Sequence, residues 1–584
     1  MNKYYTHKIN ELSSQMIGEE ILVSGWIENI RDHGGVLFLD IRDTTGTLQT
    51  VSNNDELFKG LAKESVITLK GILRKRNEET YNPRLKTGEI ELLVNRLEVL
   101  SASLHELPFE IMTSKNVNEE TRLKYRYLDM RNEKVKEIFL LRSNVLHFLR
   151  NKMVDLGFTE VQTPILTASS PEGARDFVVP SRKFKGKFYA LPQAPQIYKE
   201  LLMVGGFDKY FQVAPCFRDE DTRRDRTLEF YQLDMEMNFV TEEEVLKTGE
   251  QIFYEVFSKF TTKEVSKPPF RKISYREALN KYGTDKPDLR NPLIIEDATE
   301  NLQNTTFNPF KKATIKIIVV ENIGKKPNSW FNEVVDYASS IGMPGIGYLT
   351  LLEDGSLKGP IDKFLTSEER ANLIKNFRMK ANSVIFFIAN RNKKLAEKQA
   401  GMIRVELGKK LNLIDENKLE LCIINDFPMF EYDEQTKKYE FAHNPFSLPH
   451  DFNDYKTKEL EDILAYQYDF VCNGYEMASG AIRNHNLDAL RTGFEIVGYK
   501  KEEIESRFKS IFTAFKYGCP PHGGMAMGID RILMLIKDEQ NLREVQAFPT
   551  NAQGEDQMMG SPSVLTKEQM DELGLIIRKD NENE

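Results

Sequence analysis

The chain has 584 residues, a net charge of −9 and four cysteines, with 40% hydrophobic and 29% charged residues. This composition is typical of a globular protein and excludes fibrous, disordered and disulfide-scaffold classes, while the scattered cysteines predict reduced packing residues. The length predicts about three or four folding units at roughly 150 residues each. We find no signal-peptide pattern and no run of 18 apolar residues, so we expect a cytoplasmic protein with no membrane association.

Five runs of alternating hydrophobicity follow one another between residues 20 and 100, separated by glycines or charged turns. They predict five short strands and a small barrel of the oligonucleotide-binding kind, which stacks bases on aromatic side chains beside basic ones. Phe38, with Arg31, Arg42, Arg74 and Arg76 nearby, suits such a binding face. The alternative is an ordinary sandwich with Phe38 in its core.

The middle of the chain predicts a linker, a helix and an inserted domain. The charged segment RLKYRYLDMRNEK indicates a linker at residues 105–133, and apolar residues at near-helical spacing then predict a helix from about Val135 to Leu156. Residues 286–419 have their own small-domain pattern, with KATIKIIVV, a helix near Phe331–Ser340 and SVIFFIAN, which predicts an inserted α+β domain. After Phe548 the chain becomes polar, and its last residues predict a solvated tail.

Residues 211–237, FQVAPCFRDEDTRRDRTLEFYQLDMEM, predict a strand, a charged turn and a returning strand. A period of two puts an aromatic ring and three polar groups on one face of the returning strand and four apolar side chains on the other. The first face is Phe230, Gln232, Asp234 and Glu236, and the second is Tyr231, Leu233, Met235 and Met237. Buried polar groups need partners, which favours a polar-ligand site in which Arg218 grips a phosphate and Phe230 stacks a purine. A solvated charged hairpin is the alternative.

Residues 468–483, YDFVCNGYEMASGAIR, contain the two-residue hairpin signal Asn473–Gly474. A turn there places Val471 opposite Glu476, with Asp469 on the same face as the diagonal neighbour of Glu476 at roughly 7–8 Å. Two carboxylates at that distance suit a magnesium ion bound with a nucleotide. Two surface acids brought together by chance are the alternative.

Residues 517–536, YGCPPHGGMAMGIDRILMLI, place a rigid Pro-Pro and several glycines before an amphipathic helix that begins near Gly528. A helix N-terminus attracts anions, and Arg531 in the first turn adds a positive charge. Tight packing of the glycines is an equal alternative.

In this order, a helix and strand ending at Pro164 in GFTEVQTPIL, the FRDE hairpin and GIDR resemble the three signature motifs of class II aminoacyl-tRNA synthetases. The strings RLKYRYLDMR, SPEGARDF, SRKFKGKFYALPQAPQIYKELLM, YGTDKPDLRNP and NGYE narrow the resemblance to the aspartyl-tRNA synthetases of bacterial type, over almost the whole chain. The resemblance implies an α+β multidomain fold. Its parts are an oligonucleotide-binding (OB-fold) barrel for the anticodon at 1–104, a hinge at 105–133, an antiparallel-sheet catalytic domain at 134–285 and 420–555, an inserted α+β domain of bacterial type at 286–419 and a C-terminal extension at 556–584.

The resemblance also assigns roles to single residues. The ATP-binding set would be Arg218, Asp219, Glu220, Thr227, Phe230, Glu476, Gly528, Ile529, Asp530 and Arg531. The aspartate-binding set would be Glu172, Gln196, Lys199, Arg218, Asp234, His443 and Arg483. Arg218 and Arg531 would be the catalytic residues, and Asp469 and Glu476 would hold Mg²⁺.

The implied reaction joins L-aspartate to tRNA in two steps through aspartyl-adenylate, with release of pyrophosphate and AMP. Catalysis would be positioning and charge neutralisation without a protein nucleophile, and His443 is not assigned as a general base. Lys199 and Arg483 would face the side-chain carboxylate of the substrate, and asparagine would leave both without a counter-charge. Pro164 would lie at the interface of a homodimer.

Some positions depart from the family pattern. Thr227 replaces the glutamine of R-Q-P-E-F, Asn444 replaces the second histidine of H-H-P-F, and Ala478–Ser479 interrupts a glycine run. They put in doubt the nucleotide contact at Thr227 in particular.

The family reads the anticodon with residues that match Arg31, Phe38 and Gln49. His33 matches relaxed members that also aspartylate tRNA(Asn), whereas Glu79 does not match the glycine that accompanies it there. The substrate is therefore tRNA(Asp), with tRNA(Asn) left open.

Two functions of other classes compete with this interpretation. A non-catalytic RNA-binding or regulatory relative predicts RNA binding without pyrophosphate exchange, although the charged site residues are all present. An amidating enzyme of the asparagine synthetase type needs no barrel and predicts ammonia-dependent asparagine formation. Lysine or asparagine as substrate is a closer alternative, against which Arg483 and Lys199 favour an acidic side chain.

Overall fold

A computed structural model describes residues 2–33, 36–169 and 174–577. The chain forms two compact units, Met1–Thr121 and Arg122–Glu584. Among the helices of the described ranges, none has the length and apolar character that a membrane crossing requires.

The first unit contains a closed barrel of five strands that hydrogen-bond in the order first, second, third, fifth, fourth. The strands are Glu20–His33, Val36–Arg42, Thr47–Ser52, Val66–Lys75 and Ile90–Ser101, and the short 3-10 helices are Ile9–Glu11, Ser14–Met16, Asp55–Phe58, Glu78–Thr80 and Ile111–Asn116. Leu39 and Ile41 lie inside the barrel because side chains alternate along a strand. Phe38 is half-buried on the outer side. The barrel is confirmed, and the sandwich with Phe38 in its core is wrong.

The second unit is built on an eight-stranded sheet that is antiparallel except for the pair at each edge. From edge to edge its strands are Arg271–Ser274, Leu421–Asn425, Gln467–Cys472, Tyr475–Ile482, His522–Gly528, Glu229–Asn238, Lys209–Phe217 and Thr159–Glu160. Helices Glu133–Asp155, Glu242–Phe260 and Ile529–Lys537 bury their apolar sides against one face of this sheet. On the opposite face, helix Tyr275–Tyr282 packs on Ile273, Cys422 and Ile424 at one edge, and polar side chains occur on the strands farther in.

A second sheet lies within residues 286–419. Its five antiparallel strands are, in order, Ile295–Asp297, Thr314–Val320, Val384–Asn390, Gly347–Leu351 and Leu357–Lys358. Helices Asn328–Ser340 and Lys393–Lys410 pack on one face, and helix Ser367–Asn376 contributes Leu373 to the core on the other. The predicted helix and strands of this region are present, and the domain limits stay a prediction.

The predicted long helix begins at Glu133, two residues earlier than expected, because the Asn132 side chain caps it by accepting from the Lys134 backbone. The second half of the predicted linker contains helices Glu119–Lys124 and Arg126–Asp129, and Arg126 is buried and donates to the Gln546 and Ala547 carbonyls.

The remaining elements are short. The helices are Glu119–Lys124, Arg126–Asp129, Gln196–Val204, Tyr275–Tyr282, Asp454–Thr457, Leu487–Ile496, Lys501–Arg507, Lys509–Phe515, Leu542–Val545 and Lys567–Leu573. The small strand pairs are Val178–Pro180 with Phe188–Ala190, Glu264–Val265 with Lys418–Leu419, Phe427–Pro428 with Leu464–Ala465, and Phe430–Asp433 with Lys438–Phe441. The predicted tail, RKDNENE, lies beyond residue 577, outside the described range.

Candidate active site

A cavity of about 300 Å³ opens in the second unit. It lies on the sheet face away from the three core helices, because Phe230, Gln232 and Asp234 line it while Leu233 and Met235 enter the core. This alternation along the returning strand is the one that the sequence predicts. The predicted site residues that line the cavity are Gln196, Lys199, Arg218, Glu220, Thr227, Phe230, Asp234, His443, Glu476, Arg483, Gly528, Asp530 and Arg531.

Three predicted residues do not line this cavity. The Ile529 side chain belongs to the hydrophobic core, Asp219 is a half-exposed residue whose backbone pairs with Arg175, and Asp469 lies buried behind the wall. Glu172 lies outside the described residues.

One end of the cavity combines an aromatic plate with arginines. The Arg218 guanidinium lies 5.1 Å from the centroid of the Phe230 ring, and Glu220 pairs with Arg226 at 3.0 Å. Arg531 donates to the Glu476 carbonyl, and its guanidinium lies 3.7 Å from the Glu476 carboxylate. An aromatic ring and two guanidinium groups in one cavity have the chemistry that a purine triphosphate requires.

Thr227 is held by a residue that the sequence did not indicate. The Gln546 amide donates to the Thr227 hydroxyl at 3.2 Å and to the Asp530 carboxylate at 2.9 Å. The Asp530 carboxylate also accepts from Arg142, so it links Arg142 to Gln546. At Thr227, where the family has glutamine, the side chain is therefore held by a contact within the protein. At the other departure, the Asn444 side chain accepts from the Phe446 backbone and shapes a turn.

The predicted hairpin is present, with Asn473 and Gly474 at positive φ (51° and 87°) and Val471 opposite Glu476. A β-bulge follows, so that Asp469 pairs with Ser479 and the register is not the regular one that the sequence suggested. The bulge is a distortion that alternation of residue types does not reveal.

Asp469 is fully buried, and neither of its carboxylate oxygens makes a well-formed hydrogen bond to a described residue. Burial and the neighbouring Glu476 charge raise the pKa of Asp469 to about 6, against partial relief from His443, Lys286 and the Ser479 hydroxyl. Orphaned carboxylate oxygens beside a second carboxylate fit a hard cation such as Mg²⁺.

Lys286 joins this group without having been assigned a role from the sequence. Its ammonium lies 3.4 Å from the Glu476 carboxylate and pairs with Asp285. Burial alone would lower the pKa of Lys286, but Glu476, Asp285 and Asp469 raise it above its ordinary value. The carboxylate pair thus has a resident counter-charge within the protein.

The floor of the cavity is a layer of paired charges. Lys199 contacts Asp234 at 2.7 Å and Glu236 at 3.4 Å, and Arg483 binds Glu236 through two nitrogens at 2.8 and 3.1 Å. Burial alone would raise the pKa of Glu236, yet Arg483 and Lys199 hold it below its ordinary value. Burial instead raises the pKa of Asp234 despite Lys199.

This layer corrects one step of the sequence argument. Lys199 and Arg483 were expected to lack a counter-charge without an acidic substrate, but each already has a carboxylate partner in the folded chain. Glu236 was placed on the correct face and given no role. The long-range pair with Arg483 has no signal in the local sequence.

The glycines before the last motif lie in a strand, His522–Gly528, where the sequence indicated a loop. A Cβ at Gly524 would lie 2.0 Å from the Met235 carbonyl and 2.4 Å from the Glu236 carboxylate. Tight packing, the stated alternative, therefore accounts for Gly524. The helix that follows, Ile529–Lys537, begins after Gly528 as predicted.

The outer side of the barrel has a connected polar face. Arg31 pairs with Asp40 at 2.6 Å and donates to Gln49 at 3.1 Å, and Gln49 donates to Glu91 at 2.6 Å. Phe38 lies opposite Arg31 in the strand register. Ring, guanidinium and amide thus occur together, as single-stranded nucleic acid requires.

Of the two positions predicted to discriminate between tRNAs, the structure describes the side chain of Glu79 and not that of His33. Glu79 is exposed on the 3-10 helix Glu78–Thr80, whereas the His33 side chain lies outside the described part of the chain.

Comparison with known families agrees with this geometry. Residues 118–552 match the family described as class II tRNA synthetases (D, K and N), and residues 21–100 match the OB-fold nucleic acid binding domain. The chain therefore has the fold of a class II aminoacyl-tRNA synthetase, an ATP-using enzyme class, with an N-terminal nucleic-acid-binding barrel.

Full-length relatives narrow the family further. The aspartate–tRNA(Asp/Asn) ligase of Wolbachia pipientis subsp. Culex pipiens (strain wPip) is 48% identical, over 98% of this chain and 99% of that protein. The ligases of the same name from Ehrlichia ruminantium (strain Welgevonden) and Rickettsia conorii (strain ATCC VR-613 / Malish 7) are 47% and 46% identical, over 99% and 100% of this chain and the whole of each relative. The chain belongs to the family of aspartate–tRNA(Asp/Asn) ligases.

Solved structures show the same fold at lower identity. A putative aspartyl-tRNA synthetase from Leishmania major Friedlin aligns with a TM-score of 0.58 at 20% identity, over 94% of each chain. Asparaginyl-tRNA synthetase from Pyrococcus horikoshii, complexed with asparaginyl-adenylate, aligns with a TM-score of 0.56 at 19% identity, over 93% of this chain and 97% of that one.

Proposed function

We propose that this protein activates L-aspartate with ATP and transfers it to the 3' end of tRNA(Asp) in the cytoplasm. The observation that carries the proposal is that one cavity is lined by the Arg218–Phe230 pair, by Arg531 and by the charged residues Lys199 and Arg483. Full-length relatives named as aspartate–tRNA ligases support it.

The first step is attack of the aspartate α-carboxylate on the α-phosphorus of ATP, which forms aspartyl-adenylate and releases pyrophosphate. Phe230 stacks the adenine, Arg218 neutralises the α-phosphate and the attacking carboxylate, and Arg531 neutralises the leaving phosphates. A ribose hydroxyl of the terminal adenosine of tRNA then attacks the mixed anhydride and AMP leaves. No protein nucleophile takes part.

We assign Asp469 and Glu476 as the carboxylates that hold Mg²⁺. The orphaned oxygens of Asp469, and the Glu476 charge that raises the pKa of Asp469, support this. When bound with ATP, the ion would neutralise phosphate charge. Lys286 would then give up its contact with Glu476.

The side chain of the substrate would meet Lys199 and Arg483. Because both cations are also paired within the protein, we propose that recognition rests on the additional hydrogen-bond donors of the guanidinium and ammonium groups. His443 lines the cavity and would complete the pocket, and the family resemblance alone adds Glu172 to the aspartate-binding residues.

We further propose that tRNA(Asn) is also aspartylated. The relatives are named for both tRNAs, and this and His33 favour the proposal, whereas Glu79 does not match relaxed members. Arg31, Phe38 and Gln49 would contact the shared part of the two anticodons.

The protein is also proposed to be a homodimer. Leu140 in helix Glu133–Asp155, and Ile165 and Leu166 beside Pro164, are exposed apolar side chains, with 57%, 47% and 54% exposure. Light scattering should give twice the 67.6 kDa of one chain. A monomer at micromolar concentration would contradict this part of the proposal.

The test is ATP-dependent charging with labelled aspartate on purified tRNA(Asp) and tRNA(Asn) at matched concentration and salt. We expect both to be charged, and charging of the first alone would make the enzyme strict. Charging of neither would refute the ligase proposal. Parallel reactions with lysine, asparagine, and ammonia without tRNA separate the closer alternatives, and RNA binding without pyrophosphate exchange would indicate a non-catalytic relative.

A further inference from the structure

Behind the cavity wall lies a buried chain of polar side chains that the reaction above does not use. The Gln196 amide lines the cavity and donates through Nε2 to Glu200 Oε1 at 2.6 Å. The two residues are one turn apart on helix Gln196–Val204, and both are buried. Glu200 does not line the cavity. It can therefore influence the substrate site through its hydrogen bond with Gln196.

His522 supports Glu200 from the opposite side. The imidazole is fully buried, with Nδ1 2.8 Å from the Pro520 carbonyl and Nε2 3.4 Å from Glu200 Oε2. A carbonyl and a carboxylate can only accept, so each ring nitrogen must carry a proton and the ring is an imidazolium. Burial alone would lower the pKa of His522, but contacts with Cys519 and Glu200 raise it to about 10.

The imidazolium determines how the Gln196 amide is turned. The Glu200 carboxylate lies beside this positive charge and offers acceptors, so Gln196 presents its NH₂ group to it. The amide oxygen of Gln196 is then left for the cavity. Close by, Asp234 Oδ2 is buried without a partner among the described residues. Two acceptors on one wall suit a ligand that donates several hydrogen bonds, as an ammonium group does.

We propose that Glu200 and His522 are positioning residues that fix the Gln196 amide oxygen as an acceptor for the α-ammonium group of the amino-acid substrate. The inference rests on the proposed amino-acid activation at this site and deepens it. Glu200 and His522 touch neither substrate nor reacting atoms. Their effect is on the affinity for the amino acid, while ATP binding depends on other residues.

The experiment compares His522→Gln with His522→Asn in the full-length protein. The glutamine amide can replace the Nε2 donor toward Glu200, whereas the asparagine amide replaces only the Nδ1 donor toward Pro520. We measure the KM for aspartate and for ATP by pyrophosphate exchange. The expected result is a rise of about 10- to 100-fold in the aspartate KM for His522→Asn, a clearly smaller rise for His522→Gln, and an ATP KM within about twofold of wild type in both.

A second arm uses succinate, which is aspartate without its ammonium group, as a competitive inhibitor. Glu200→Gln keeps the size of the side chain, lets the Gln196 amide turn over, and carries the test if a His522 variant does not fold. Its aspartate KM should rise while its inhibition constant for succinate stays within about twofold of wild type.

An unchanged aspartate KM in Glu200→Gln, or an equal loss of aspartate and succinate binding, would overturn the inference. Equal aspartate KM values for the two His522 variants would do the same. The wild-type protein separates this result from the proposed function, because absence of aspartate-dependent exchange in the wild type refutes the function itself.

Discussion

At the scale of single residues, the site contains ionisable groups in buried positions, where burial disfavours the charged form. The pKa of Asp469 is raised to about 6 in the folded chain, above its ordinary value of 3.8. The native state therefore binds a proton more tightly than the unfolded chain, and the free energy of unfolding falls as the pH rises from about 4 to about 6. At neutral pH, a charged Asp469 destabilises the fold, which is common for groups that bind ligands.

Asp469→Asn should therefore stabilise the protein and abolish its activity. We expect the free energy of unfolding at pH 7.5 to rise by up to about 3 kcal/mol, because the mutation removes a buried charge beside Glu476. Urea unfolding of mutant and wild type at pH 7.5 and pH 4 measures this, and the gain should vanish at pH 4. The exposed Asp462→Asn serves as control. A mutant that is less stable at pH 7.5 would contradict the argument.

A second prediction at this scale concerns Phe38 on the outer side of the barrel. Phe38→Ala should raise the KM for tRNA about tenfold or more, since stacking on an aromatic side chain contributes roughly 1–3 kcal/mol per base. Pyrophosphate exchange needs no anticodon and should not change. Tyr4→Ala removes an exposed aromatic side chain outside the barrel strands and is the matched control. Equal effects of both mutations on charging would remove Phe38 from the binding face.

At the scale of elements, the charged layer depends on two strands that approach closely. Strand His522–Gly528 pairs with Glu229–Asn238 so that Gly524 lies opposite Glu236. The missing Cβ leaves room for the Met235 carbonyl and the Glu236 carboxylate. The same strand begins with His522, so one element places both the partner of Glu200 and the space for Glu236.

Gly524→Ala should destabilise the protein by about 1–3 kcal/mol or more, because the added methyl group meets backbone that cannot rotate away. It should also abolish aspartate activation by displacing Glu236 and its partner Arg483. Thermal unfolding and pyrophosphate exchange measure the two effects. Gly345→Ala is the control, because a Cβ there has no neighbour within 4 Å. An active Gly524→Ala protein would show that the strands can separate without cost.

At the scale of the whole molecule, nucleic-acid binding and amino-acid activation belong to separate compact units. The barrel has its own core, which includes Ile21, Leu39 and Leu69, and the residues of the cavity all come from Arg122–Glu584. Neither core needs apolar residues from the other. Removal of the barrel should therefore leave the chemistry of the first step intact.

A protein lacking residues 1–104 should keep aspartate-dependent pyrophosphate exchange within about threefold of the full-length chain. Charging of tRNA should fall by about 100-fold, as expected if anticodon contacts worth roughly 1–3 kcal/mol each are lost. Circular dichroism of the shortened protein controls for folding. Loss of pyrophosphate exchange in a folded protein would show that the barrel supports the site.

The sequence by itself determined the elements and most of the chemistry of the site. Alternation predicted the five barrel strands and the two faces of strand Glu229–Asn238, and the turn at Asn473–Gly474 placed Val471 opposite Glu476. These signals are local, because strand period, helix period and turn type depend on neighbouring residues. The motifs identified the family for the same reason, since each is a short contiguous string.

Only the tertiary structure decided how the charges are paired. Arg483 and Glu236 are 247 residues apart, and Glu200 and His522 are 322 residues apart. Such contacts follow from the order of strands in the sheet, which local periodicity does not encode. For this reason Lys199 and Arg483 were expected as unpaired cations and are found paired, and Lys286, Glu200 and His522 had no predicted role. In a buried layer, each charge must be matched by a group that only the complete fold brings near.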